Sequence, residues 1–132
     1  MGLNETDRKE LVKYKLEKAR KLLAEVPSHV ENEFYGTATN RLYYACFHAA
    51  SALLINDGHR ADTHSGVMTL LGLHYVTKNK IEESFGKMYG RLFNRRQKDD
   101  YEDWVIPNEN DVKPFIEPAE QFITAIEKLI SR

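Results

Sequence analysis

Cysteine is nearly missing from this chain. Cys46 is the one thiol among 132 residues, so no internal disulfide framework can hold the fold. Long hydrophobic runs are missing too: no apolar stretch approaches the roughly 18 residues a membrane-spanning helix requires. No sustained alternation of apolar and polar residues marks a strand, and no repeat or low-complexity tract interrupts the chain. Neither charge sign prevails. The formal net charge of −1 argues against a surface that coats nucleic acid generally, while permitting a local basic patch. The opening residues, MGLNETDRKELVKYKLEKARK, are charged throughout and do not read as a secretory leader. The expectation is one domain, residues 1–132, in a reducing, cytoplasmic compartment and away from membranes. Several chemistries are absent as well. There is no Gly-rich phosphate loop, no defensible Ser–His–Asp order and no cysteine cluster, so neither a metal site nor a cofactor is expected.

What is present is helical periodicity, broken in four places. From about Asp7 to Val26, the residues Val12, Leu16, Ala19, Leu23 and Val26 recur at spacings of three and four. Pro27-Ser28 is expected to stop this amphipathic helix. A second helix is expected from about Glu31 to Asp57, ending at the turn Asn56-Asp57-Gly58. Its apolar residues cover most of the circumference, which marks a buried central helix. A third starts near Asp62-Thr63 and carries Val67, Leu70, Leu71 and His74 before the polar loop Thr77–Lys80. A fourth, from about Ile81 to Lys98, buries Phe85, Met88 and Leu92. The last, from about Asn110 to Ile130, repeats Phe115, Phe122, Ile126, Leu129 and Ile130. Pro118 should kink that helix or delay its start. The class is all-α: four or five helices in an up-down bundle with antiparallel neighbours.

The central helix carries a polar seam, Thr37, Arg41, Tyr44 and His48, along its one face that is not apolar. Spacings of three and four align Arg41, Tyr44 and His48. RNA cleavage without metal needs a base for the 2′-hydroxyl, an acid for the leaving 5′-oxygen and a cation for the charged phosphorus centre. Histidine serves the first two tasks and arginine, planar and permanently charged, the third. The alternative is a buried network in which Arg41 pairs with an acidic residue and fixes helix packing. Both readings stand at the level of sequence.

Three blocks in order, RLYYACFHAASALL, GHRADTHSGVMTLLG and RLFNRRQKDDYED, followed by an amphipathic tail helix, resemble a HEPN domain protein. More narrowly, they resemble the small stand-alone HEPN-like proteins of bacteria and archaea, from about Tyr14 to Leu129. The resemblance implies a helical bundle that forms a homodimer and works beside a minimal nucleotidyltransferase, as the toxin half of a toxin–antitoxin pair. It also implies a metal-independent ribonuclease built on an arginine, four to six residues, then a histidine. In nucleotidyltransferase-paired members the pattern is Arg, four residues, His, one residue, Tyr, at the start of a later helix. The matching block here is RRQKDDY, in which Tyr101 aligns but Asp99 holds the histidine place. An aspartate at neutral pH cannot donate a proton as imidazolium does. Arg41 and His48, six residues apart, meet the pattern in form on an earlier helix.

Other constellations complete the candidate set. Arg96 is expected to project among Phe85, Met88 and Leu92, either paired with Asp99, Asp100 or Glu102 or facing a phosphate beside Arg41. Lys87, Arg91, Arg95 and Lys98 form a basic flank suited to nucleic acid or an acidic partner, or simply to water. Thr63 caps the third helix, and His64 either joins that cap region or faces the seam near His48. Cys46 reads as a small buried hydrophobe. The candidate catalytic residues are therefore Arg41, Tyr44 and His48, and the candidate binding residues Arg96, Tyr101, His64 and Arg95. Two functions follow: a metal-independent endoribonuclease acting on RNA, or a non-catalytic dimeric module that binds a nucleotide or a protein.

Overall fold

Asn4 begins the first helix: its side-chain oxygen accepts the Asp7 amide at 2.8 Å, and Glu5 and Asp7 sit at the positive end of the helix dipole. The computed structural model describes residues 3–101 and 106–131, with the side chains of residues 97–101 outside that description. Among the described residues five α-helices follow one another: α1 (Glu5–Glu31), α2 (Tyr35–Asn56), α3 (His64–Leu71), α4 (Glu83–Tyr101) and α5 (Lys113–Ile130). A π turn, Gly72–Val76, continues α3, and a short 3-10 turn, Glu109–Asp111, precedes α5. Among the described residues there is no strand, as the missing period-two pattern requires.

Helix α1 does not stop at Pro27. It runs one turn further, to Glu31, with Pro27 inside it. Proline removes one amide bond, but Pro27 points to solvent while Val26 beside it is fully buried. Packing of that last turn offsets the loss. The stop comes where a residue adopts left-handed backbone: Glu33, at φ 61°. Phe34 N–H then bonds the His29 carbonyl at 2.7 Å and Glu33 N–H the Val30 carbonyl at 3.0 Å. This paired closure recurs after α2, at Gly58 (φ 83°), and after the π turn, at Asn79 (φ 58°). Gly58 takes this backbone without a Cβ penalty. Pro118 likewise lies inside α5, which starts at Lys113 without delay. One lost bond near the helix start is outweighed by Ala119, Phe122, Ile123 and Ile126, all fully buried.

Helix α2 is central, as its apolar circumference predicts. It packs against α1, α3, α4 and α5, and eleven of its residues are buried. Four alanines, Ala45, Ala49, Ala50 and Ala52, let neighbouring backbones approach closely. An aromatic ladder runs through the core: Tyr43 to Tyr89 at 5.9 Å, Tyr89 to Phe122 at 5.9 Å, and Phe122 to Phe85 at 6.0 Å. At the bundle's edge, Arg20 of α1 clamps α5, reaching Glu120 at 2.7 Å, Thr124 at 2.9 Å and Glu127 at 2.5 Å. Elsewhere α2 keeps a half-buried, partly open side.

Candidate functional site

That open side is the face of α2 between α1, α3 and α4. Tyr44, Phe47 and His48 are half-buried there, while Tyr43 just behind them is fully buried. Helix α3 adds His64 at its first position, since Thr63 caps the helix by accepting the Gly66 amide at 2.9 Å. The cap and the seam readings of this stretch are therefore both met: Thr63 does the capping, and the next residue turns inward. The His64 ring stacks on Phe47 at 4.4 Å and 11°, and meets Tyr44 edge-on at 5.7 Å. Its Nδ1 shares a hydrogen bond of 2.8 Å with the Tyr43 hydroxyl.

Helix α4 adds Arg96. Its guanidinium carbon lies 5.1 Å from the Tyr43 ring centre and 5.9 Å from that of Tyr44, within cation–π range. As expected from sequence, Arg96 lies on the Phe85–Met88–Leu92 side of α4, four residues beyond Leu92, and there it meets the rings of α2. Met88 and Leu92 are buried in the core, and Phe85 meets Phe122 of α5 at 6.0 Å. Glu102 and Trp104 lie outside the described residues, as do the side chains of Lys98, Asp99, Asp100 and Tyr101.

His48 sits at the other end of the cluster. Its ring centre is 5.4 Å from Phe47 and 6.2 Å from Tyr44, and its Nδ1 is buried without a hydrogen-bond partner among the described residues. Burial, with Lys15 and Lys18 of α1 and then His64, pulls its pKa down to about 4. The imidazole is neutral at pH 7. His64 is also held below its ordinary value, by burial and by Arg96. Burial pushes the Tyr43 phenol up to about 12, so it keeps its proton. The cluster is consequently rich in cations and neutral imidazoles, with no carboxylate among its described members. Such a face favours an incoming phosphate, whose negative charge would also raise both histidine pKa values.

The other predicted residues are placed differently. Arg41 turns to α1, its Nε donating to Glu25 at 2.9 Å and its Nη1 to Asn40 at 2.9 Å. One sequence reading anticipates an acidic partner, but as part of a buried network, whereas this pair is partly exposed. Arg95 reaches Asp111 at 3.1 Å, and the same carboxylate oxygen caps the 3-10 turn by accepting the Asn108 amide at 2.8 Å. Lys87 pairs with Glu83 at 3.3 Å, so two members of the basic flank already face carboxylates. Cys46 is fully buried, its thiol pKa raised by burial. Sequence reasoning missed Tyr43 and Phe47, which read as core, and Lys15 and Lys18, which read as the solvated side of α1. Only tertiary packing distinguishes them. Among the described residues no group of three or more metal-ligating side chains forms, and no helix is long and apolar enough to cross a membrane.

Comparison with known proteins adds a lineage to this geometry. Residues 12–129 match the family model of the HEPN domain. The chain is 37% identical over 124 residues to a UPF0332 protein of Thermotoga maritima, covering 94% of each. It is 34% identical over 124 residues to the protein named "Putative toxin MJ0605" of Methanocaldococcus jannaschii, covering 94% of this chain and 92% of that one. A second protein of that archaeon, named "Putative toxin MJ0142", is 27% identical over 118 residues, 89% of this chain and 80% of the other.

Proposed function

Since this chain belongs to the HEPN domain family, we propose that it is a toxin-type protein of that family whose α2–α3–α4 face binds RNA and cleaves it without a metal ion. The observation that carries this reading is the convergence of Arg96 and two imidazoles, His48 and His64, on the half-open edge of Tyr44. Arg96 receives the phosphate and stabilises the charge that develops on it. His48, neutral at pH 7, takes the proton of the 2′-hydroxyl as that oxygen attacks phosphorus. The bond from phosphorus to the 5′-oxygen breaks, and that oxygen takes a proton from His64, whose basicity the bound phosphate raises. The products are a 2′,3′-cyclic phosphate and a 5′-hydroxyl. Tyr44 orients the phosphate, and Lys15 and Lys18 draw the polyanion to the face.

The test is cleavage of a labelled mixed-sequence RNA in excess EDTA by wild type, His48→Ala and Arg96→Ala, each checked by circular dichroism. Wild type should cleave, and each folded variant should lose about 10²–10⁴-fold. Absence of cleavage, or equal traces from all three, would overturn the reading.

A non-catalytic reading is favoured by one observation: both imidazoles are held neutral in the unliganded protein, and Asp99 stands at the family's usual histidine place. In that version the protein is a cytoplasmic homodimer that binds RNA, a nucleotide or a minimal nucleotidyltransferase. Co-expression with such a transferase should then give a stable complex, with sedimentation reporting two copies of this chain.

A further inference from the structure

Beyond the seam, α1, the end of α2 and the α2–α3 loop enclose a cavity of about 350 Å³. Leu54 and Val67, 2% and 3% exposed, form its floor together with Ile55. Its polar lining is of one sign. Arg8 crosses from α1 to the loop, its Nη1 standing 3.5 Å from where a Cβ would project at Gly58. Neither Arg8 nor Ser51, which also lines the cavity, makes a side-chain hydrogen bond or ion pair among the described residues. Arg60 touches Asp62 through Nε alone, at 3.2 Å and largely in solvent, which leaves the outer edge of its guanidinium open. Asp57, the other acid of this loop, is taken by the Tyr75 hydroxyl at 2.5 Å. Among the described residues no carboxylate lines the cavity.

An apolar floor under two guanidinium groups and a free hydroxyl suits an anion with a hydrocarbon body. A nucleobase is poorly served there. Among the described residues no Phe, Tyr, Trp, Asn or Gln lines the walls, and the His59 ring is already stacked on His74 at 4.1 Å. At about 30 Å³ for each water-sized portion, the volume holds about a dozen heavy atoms. None of Tyr44, His48, His64 or Arg96 lines it, so it is distinct from the seam. We propose that this cavity binds a small amphipathic anion, its alkyl chain on Leu54, Ile55 and Val67 and its carboxylate or phosphate between Arg8 and Arg60.

The experiment is a titration of the ¹⁵N-labelled full chain, followed by amide correlation spectra, with octanoate and with hexyl phosphate. Octanol and inorganic phosphate supply each half of the ligand alone. Saturable shifts are expected at Ser51, Gly58, Ala61 and Val67, with the two half-ligands binding at least about tenfold more weakly. The tighter of the two anions identifies the headgroup. Arg8→Ala should weaken binding about tenfold while its spectrum stays folded and its RNA cleavage matches wild type, which separates this site from the seam. Lack of a saturable shift, shifts confined to a separate surface groove that Val12 and Leu16 of α1 and Ile130 of α5 line, or unchanged affinity in Arg8→Ala would overturn the proposal.

Discussion

Acid should weaken this fold through His48, and the direction follows from where the ring sits. In the unfolded chain its pKa is the ordinary 6.5, and in the folded protein burial and two lysines bring it to about 4. The unfolded chain therefore binds a proton that the folded chain refuses. The resulting stability is complete above about pH 6.5 and is lost as the pH falls towards about 4. At ~1.36 kcal/mol for each tenfold in proton affinity, the ceiling is about 3 kcal/mol. The ring is only half-buried, so solvent access reduces the expected loss to about 1–2 kcal/mol. Urea unfolding of wild type and His48→Gln at about pH 7.5 and about pH 4.5 measures it. His64 and His74 are shifted in the same direction but are common to both proteins, so the difference in pH dependence belongs to His48. Wild type should lose about 1–2 kcal/mol more than the variant across that span. Equal losses, or an NMR titration placing the His48 midpoint near 6.5, would refute the argument.

Three further outcomes follow from the packing. Phe122→Ala, which removes a fully buried ring between Tyr89 and Phe85, should lower stability by about 3–5 kcal/mol in denaturant unfolding. Pro27→Ala should raise the melting temperature, because it restores an amide bond inside α1 on an exposed position; the expected gain is about 1 kcal/mol after the lost stiffness of proline is counted. Cys46 should resist iodoacetamide in the native protein and react at once in denaturant, since the thiol is fully buried and its pKa is raised.

Much of the molecule was legible in one dimension. Periodicity set the class, a count of four or five helices and the central place of α2, because a helix apolar nearly all round has nowhere else to go. Thr63 as a cap and Cys46 as a core residue needed only local chemistry and the company of apolar neighbours. Helix ends were less legible. Pro27 and Pro118 both read as breaks, yet tertiary burial of Val26 and of Ala119 with Phe122 outweighed one missing bond each. The left-handed Glu33 that ends α1 has no signal in a chain where glycine or asparagine would be the expected marker.

The site divides along the same line. By itself the sequence determined that α2 carries a polar seam, since a period of 3.6 places residues 41, 44 and 48 on one face whatever surrounds them. Which arginine joins it was decided only in three dimensions. Arg41, in the seam by sequence, is drawn to Glu25 on α1, whereas Arg96, fifty-five residues further on, comes to lie over Tyr43 and Tyr44. Helical periodicity orders the residues of a single helix. What a side chain meets depends on the crossing of separate helices, which only the packed core sets.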